Sequence, residues 1–232
     1  MPSVSKLISG NAAAGAALAK RERRKQDRPG ELLDAALELF VEKGFAATRA
    51  EEVAARAGVS KGTLFLYFSS KEELFKAVVR ENISGRFLEW QEEFQRYAGG
   101  SADMVRYCLQ AWWQRIGDTR ASGIAKLMMS EAQNFPELAA FYHQEVMQPG
   151  QDLIGRILRR GVERGEFRDI DVDYAALTLM APMLFLVMMK HSLCACLPAD
   201  FQLDPGRYLA VQTDMLLHGL CRPAAAPAGG PA

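Results

Sequence analysis

The sequence predicts an all-α protein built as a small N-terminal three-helix unit followed by a larger helical domain. Two observations carry that expectation. Helix-length stretches with apolar residues three and four apart follow one another, separated by Gly, Pro or Asp stops, and no sustained apolar–polar alternation marks a strand. Caps also recur at the right offsets, as in Thr48 with Glu51 and Ser70 with Glu73, where each side chain reaches the other residue's backbone N–H. With 232 residues, 49 % of them apolar, the chain has ample material for a buried core.

The first helix is read from GELLDAALELFVEKGFAAT, with Leu33, Leu37, Phe40 and Val41 as its core stripe and Gly44 and Phe45 closing it. The segment from Thr48 to Leu74, TRAEEVAARAGVSKGTLFLYFSSKEEL, then reads as two short helices and the start of a third. Thr48 opens the first, on which Val53, Ala54 and Ala57 share a face. Gly58 ends it by taking positive φ without a Cβ penalty, Val59 packs inward, and Ser60 caps the next helix near Lys61. That second helix shows a mixed surface of Lys61, Thr63, Phe65, Leu66 and Tyr67, with Leu64 and Phe68 as its inner side. Two short helices around a glycine turn form a helix-turn-helix, whose second helix is shaped to enter a DNA major groove.

From about Pro29 to Leu74 these residues resemble the TetR family of one-component transcriptional regulators, whose signature is similar to AGVSKGTLFLYFSSKEEL with a long helix behind it. Phe65 stands where that family usually has tyrosine, so a hydroxyl able to reach a phosphate is missing while the ring can still meet a thymine methyl. The resemblance implies a homodimer on a pseudo-palindromic double-stranded DNA operator, most simply a repressor released by a small-molecule effector. Phosphate contacts are then expected from Thr48, Arg49, Tyr67 and Lys71. Lys61, Gly62, Thr63, Leu64, Phe65 and Leu66 are expected at or beside the groove, Gly62 allowing close backbone approach.

The implied architecture is a helix-turn-helix DNA-binding domain over residues 28–75 and a helical ligand-binding and dimerisation domain over 76–222. A flexible tail and basic arm over 1–27 and a disordered tail over 223–232 flank them. Within the larger domain, Lys71 to about Tyr97 is expected as one rigid lever ended by Gly99-Gly100. Helices follow from Ser101, around Leu127 to Met129, over Leu138 to Tyr142, and from Leu153 to Arg164 after a break or kink at Pro149-Gly150. A loop from Glu166 to Asp171 precedes the run Ala175–Met189, the most apolar of the chain. That run is shorter than the twenty or so residues a membrane span needs, holds Pro182, and is expected to be buried all round rather than in lipid. Asp204-Pro205 supplies a cap and a first-position proline for a last helix ending near Leu220. By resemblance, the last two long helices form the dimer interface.

Large soft side chains crowd this half. Phe87, Trp90, Trp112, Trp113, Met128, Met129, Phe141, Tyr142, Met180 and Met183 are the candidates for an adaptable, largely apolar effector pocket, which the resemblance places among the middle helices.

Net charge is zero, but 13 Lys/Arg face 10 Asp/Glu between Lys20 and Arg80, against 14 and 18 over residues 81–232. The basic excess therefore falls on the helix-turn-helix region; the block Lys20–Arg28 reads either as a merely solvated stretch or, as the resemblance implies, as an arm that touches DNA backbone or minor groove. Lys6 and the weakly apolar run after it are interrupted by Ser9, Gly10, Asn11 and Gly15, unlike a secretory signal. Cys108, Cys194, Cys196 and Cys221 fit neither a zinc site nor a disulfide framework and read as small buried hydrophobes in a reducing cytosol. Cys194 and Cys196, the one close pair and the place for any redox role, lie about 200° apart on a helix. His143, His191 and His218 are too scattered for a metal, and no cofactor is expected. No nucleophile with a base and no paired carboxylates point to an enzyme. The rival readings are a DNA-binding architectural factor of the same fold that answers to no ligand, and a helical carrier or enzyme that works through an apolar cavity.

Overall fold

A computed structural model describes residues 27–198 and 200–220, and most of them are helical. The tail, the arm as far as Gln26, Cys221 and the C-terminal segment lie outside the described residues. Helix α1 runs through residues 27–43. It is followed by α2 (Ala50–Arg56), α3 (Lys61–Tyr67), α4 (Lys71–Asn82), α5 (Phe87–Arg96), α6 (Ser101–Trp112), α7 (Gly123–Glu131), α8 (Pro136–Tyr142), α9 (Gln148–Glu163), α10 (Val172–Met188) and α11 (Pro205–Leu220).

Local signals set several of these ends. Ser60 Oγ accepts from Thr63 N at 3.1 Å and Ser70 Oγ from Glu73 N at 3.1 Å. Asp204 Oδ1 accepts from Gly206 N and Arg207 N at 2.8 and 3.1 Å, capping α11. Gly58 has φ +65° in the turn between α2 and α3, a conformation that costs a side-chain-bearing residue roughly 1–2 kcal/mol. The capping box of α2 sits one residue later than Thr48 with Glu51. Arg49 is the N-cap, and its backbone N–H donates to Glu52 Oε2 at 3.3 Å.

The expected lever from Lys71 to Tyr97 is broken. Helix α4 stops at Asn82, Ile83 takes φ −130° and ψ −70°, and a 3-10 turn over Ser84–Arg86 re-aims the chain into α5. Ser84-Gly85 is the local cause, a pair of weak helix formers in the interior of an otherwise helical run. The expected break at Pro149-Gly150 is absent. A wide turn over His143–Met147 precedes α9, and it absorbs the clash of the Pro149 ring with the carbonyl four residues back, so the helical path continues.

Two apolar clusters hold the molecule together. The first joins α1 to α4 with α7 and α8, centred on the rings of Phe40, Phe45 and Phe75, 5.4–5.6 Å apart. The second joins α6, α9, α10 and α11 through Leu109, Ile157, Leu158, Phe167, Leu179 and Leu217. Trp112 packs on both. The helix-turn-helix unit thus shares one core with the helices behind it.

Helix α10 departs from expectation in two ways. Continued by a wide turn, its helical path runs Val172–Leu193, 22 residues, which by length and composition alone suffices to cross a membrane. It is also not buried all round. Ala176, Leu179, Met183, Leu186 and Val187 face the core, while Tyr174, Leu177, Leu184 and Phe185 are exposed. Pro182 is carried inside the helix.

Candidate nucleic-acid interface

Helix α3 is anchored by Leu64, which is fully buried, and by Tyr67 and Phe68, which are partly buried against the core. Its other side faces out. Lys61 and Gly62 are exposed, Phe65 is 40 % exposed and Leu66 84 %. The Lys61 ammonium pairs with Glu51 of α2 and lies 5.8 Å from the Phe65 ring centre. That hydrogen bond holds the Glu51 carboxyl below the usual carboxylate range. Thr63 Oγ1 shares a hydrogen bond with Ser60 Oγ at 2.9 Å. Arg49 is exposed at the start of α2.

Three of the expected contact residues face inward. Thr48 is 1 % exposed, and its hydroxyl is directed to the carbonyls of Leu39 and Gly44 at 3.1 and 2.7 Å. It locks the turn between α1 and α2. Leu64 lies in the core and cannot sit in a groove. Lys71 Nζ donates to the carbonyls of Phe45, Ala46 and Thr48 at 2.9, 3.4 and 3.1 Å and lies 4.3 Å from the Phe45 ring centre. An ammonium has three N–H donors, and three carbonyls use them. Lys71 closes the end of α1, so its side chain is committed to the fold.

The same turn is gripped from the larger domain, which sequence reasoning missed. Gly44, at φ +86°, leaves room for Glu131 of α7, whose Oε1 accepts from Ala46 N at 3.2 Å. The Phe135 ring stacks edge-on against Phe45 at 4.8 Å. Glu38 of α1 pairs with Arg56 of α2 and with Arg120, ahead of α7. The run Asn134-Phe135-Pro136 reads in sequence only as a helix stop, and nothing local says which ring it meets.

The ten pocket candidates do not line one cavity. Met128, Phe141 and Tyr142 belong to the core that joins α7 and α8 to α1 and α4. Met129, next to the buried Met128, is 56 % exposed and lines no interior. Trp113 lies in the wide turn after α6, tilted against Trp112 at 6.2 Å. Phe87 and Trp90 meet edge to face at 5.5 Å, and Met180 and Met183 lie with the second cluster. A void of about 10 Å³ lies among Val105, Cys108, Leu109, Ile154, Ile157 and Leu179, room for about one water.

The cysteines divide. Cys108 is buried, its thiol pushed up to about 12 by desolvation, whereas Cys194 and Cys196 are exposed. The exposed pair occupies the 3-10 turn beyond α10, past the packed part of that helix. Both are free thiols.

Comparison with known proteins agrees with this geometry. Residues 32–78 match the family described as bacterial regulatory proteins, tetR family, and residues 101–194 match a tetracyclin repressor-like C-terminal domain. The fatty acid metabolism regulator protein of Bacillus subtilis is 26 % identical over 155 residues, covering 65 % of this chain and 78 % of that protein. The HTH-type transcriptional repressor KstR2 of Mycobacterium tuberculosis is 30 % identical over 154 residues, covering 63 % and 72 %. The crystal structure of the transcriptional regulator FadR from Bacillus subtilis in complex with stearoyl-CoA shares the fold, with a TM-score of 0.63 at 20 % identity over 82 % of this chain and 97 % of that one. With its outward-facing α3, its core shared between reader and regulatory helices, and these matches to both parts, the chain belongs to the TetR family of helix-turn-helix transcriptional regulators.

Proposed function

We propose that the protein is a cytoplasmic homodimeric repressor that binds a pseudo-palindromic operator through two copies of α3 and releases it on binding an acyl effector. The observation that carries the DNA reading is the outer side of α3, where Lys61, Gly62, Phe65 and Leu66 are exposed while Leu64 fixes the helix from within. Thr63 and Phe65 are the base-edge and methyl contacts, and Arg49, Tyr67 and the backbone N–H groups opening α4 serve the phosphates. Thr48, Leu64 and Lys71 position these groups and touch no DNA through their side chains.

The effector class rests on the relatives, one named for fatty acid metabolism and one structural neighbour holding stearoyl-CoA. The seam between the two clusters supports it. Phe87, Trp90, Trp112, Met180 and Met183 are soft side chains able to re-pack around an acyl chain. With only about 10 Å³ free among the residues of the second cluster, an acyl chain entering beside them must part the helices, and Glu131 and Phe135 would carry that movement to the turn before α2.

The test is direct. Fluorescence anisotropy with a labelled duplex from the DNA flanking the gene should show specific binding, and stearoyl-CoA should reverse it. Binding that no acyl ligand reverses would favour an architectural factor of the same fold. Absence of specific binding would sink the reading altogether.

A further inference from the structure

Helix α5 meets α9 more sparsely than α6 or α10 do. Along that seam runs an open cleft of about 470 Å³ lined by Gln91, Pro149, Asp152, Arg156 and Arg159. The two arginines are three residues apart on α9 and project on one face. Arg156 is exposed, and the nearest carboxylate to Arg159 is Asp173, 3.9 Å away and itself largely in solvent. Below the rim the character changes. Gln91 and Pro149 adjoin Trp90 and Gly150 in sequence, and a Cβ placed on Gly150 would lie 3.8 Å from both the Phe87 ring and Met180 Cε. Trp90 is 5 % exposed, and among the described residues its indole N–H has no acceptor. A cationic mouth therefore adjoins an apolar seam that holds one unused donor.

Guanidinium forks match phosphate oxygens two at a time, whereas a single carboxylate would occupy only one of them. We propose that the α5–α9 cleft takes the phosphate-bearing head of an acyl-CoA-type effector, Arg156 and Arg159 holding its phosphates while the acyl chain parts α5 from α9 and enters beside Phe87, Trp90 and Met180. Trp90 Nε1 is the donor available to the acyl carbonyl. This rests on the acyl-effector reading above, which says nothing of where the head is held. Asp152 in the same cleft opposes the anion and sets an upper limit on its affinity.

The experiment measures binding to the full-length protein by calorimetry with three probes: stearoyl-CoA, stearate and coenzyme A alone. The variants are R156Q, the double variant R156Q/R159Q, and D152N. Stearoyl-CoA affinity should fall at least tenfold in the double variant, fall less in R156Q, and rise several-fold in D152N, with stearate unaffected throughout. The salt dependence of stearoyl-CoA binding should weaken in step. Melting temperature and operator affinity without ligand should match the parent, since these side chains are exposed. Stearoyl-CoA bound equally by the parent and the double variant would overturn the cleft assignment while leaving the acyl reading intact. Coenzyme A bound in an arginine-dependent way, with stearate ignored, would support the cleft and refute the apolar seam. Failure of the parent to bind any of the three would overturn both.

Discussion

Single side chains on the reader decide between affinity and stability, and two of them separate the effects. Phe65 projects outward at 40 % exposure, so a hydroxyl added to its ring meets solvent or phosphate and not a dry interior. Phe65→Tyr is expected to tighten DNA binding by roughly 0.5–1.5 kcal/mol, the net value of one neutral hydrogen bond, with the melting temperature unchanged. Anisotropy titrations beside a thermal melt check it, and a lower melting point with unchanged affinity would place the ring inside. Lys71 is the opposite case. Its ammonium serves three carbonyls of the turn after α1, and Met in its place keeps the apolar stem over Phe45 but removes that donor from all three. Lys71→Met should cost about 1–3 kcal/mol of folding stability. The salt dependence of operator binding should stay the same, where loss of a phosphate contact would lower its slope by about one unit. The sequence alone suggested a phosphate ligand, because a lysine opening a helix behind a reader looks free until the carbonyls of a turn 23 to 26 residues earlier are seen beside it.

Between elements, what was legible depended on how local the cause was. The caps at Ser60, Ser70 and Asp204 and the positive φ of Gly58 depend on residues within three positions, and the structure has them where the sequence puts them. The break at Ile83 has a local signal in Ser84-Gly85, which the apolar period on either side hides in the sequence. The wide turn before α9 accommodates Pro149, a residue whose ring is as easily read as a helix break, so the sequence shows the proline but not how the chain absorbs it. The link from α4 to the turn before α9 is non-local. Arg80 donates to Glu145 through Nη2 at 2.9 Å and through Nε at 3.4 Å, and Ser84 donates to the same carboxylate at 3.5 Å. The Arg80 hydrogen bond holds the Glu145 carboxyl below its ordinary value. A depressed folded-state value means that the stabilisation is present above the ordinary carboxylate range and is lost as pH falls through the folded value. Because the pair is half-exposed, Glu145→Gln should cost less than about 1 kcal/mol near neutral pH. The gap between parent and variant should close at roughly pH 4 and below. Urea denaturation at both pH values reads this, and a gap that persisted in acid would assign the loss to packing.

For the molecule as a whole, the largest unexplained surface is apolar and continuous in sequence with the core. Tyr174, Leu177, Leu184 and Phe185 on α10, and Val211 and Met215 on α11, are exposed although the opposite sides of both helices are buried. Phe185 and Tyr208 stack at 5.5 Å, which ties the two helices into one face. The run Ala175–Met189 shows the apolar material in sequence, but only the fold shows which half is left over, because burial against α7 and α9 is a three-dimensional fact. Lone exposed hydrophobes are ordinary, whereas a two-helix apolar face calls for a partner. A second copy of the chain offers the same face about a twofold axis, and a twofold also sets two reader helices at the fixed spacing of two half-sites, about 34 Å apart. The expected particle in dilute solution is therefore a dimer of about 51 kDa, twice the 25.7 kDa of the chain. Leu177→Glu combined with Met215→Glu puts four carboxylates on the joined faces, two from each copy, and should give a helical monomer by light scattering, with circular dichroism unchanged. Operator affinity should collapse toward the non-specific level, since each half-site must then be found separately. A double variant that stayed dimeric at micromolar concentration would place the interface on another surface.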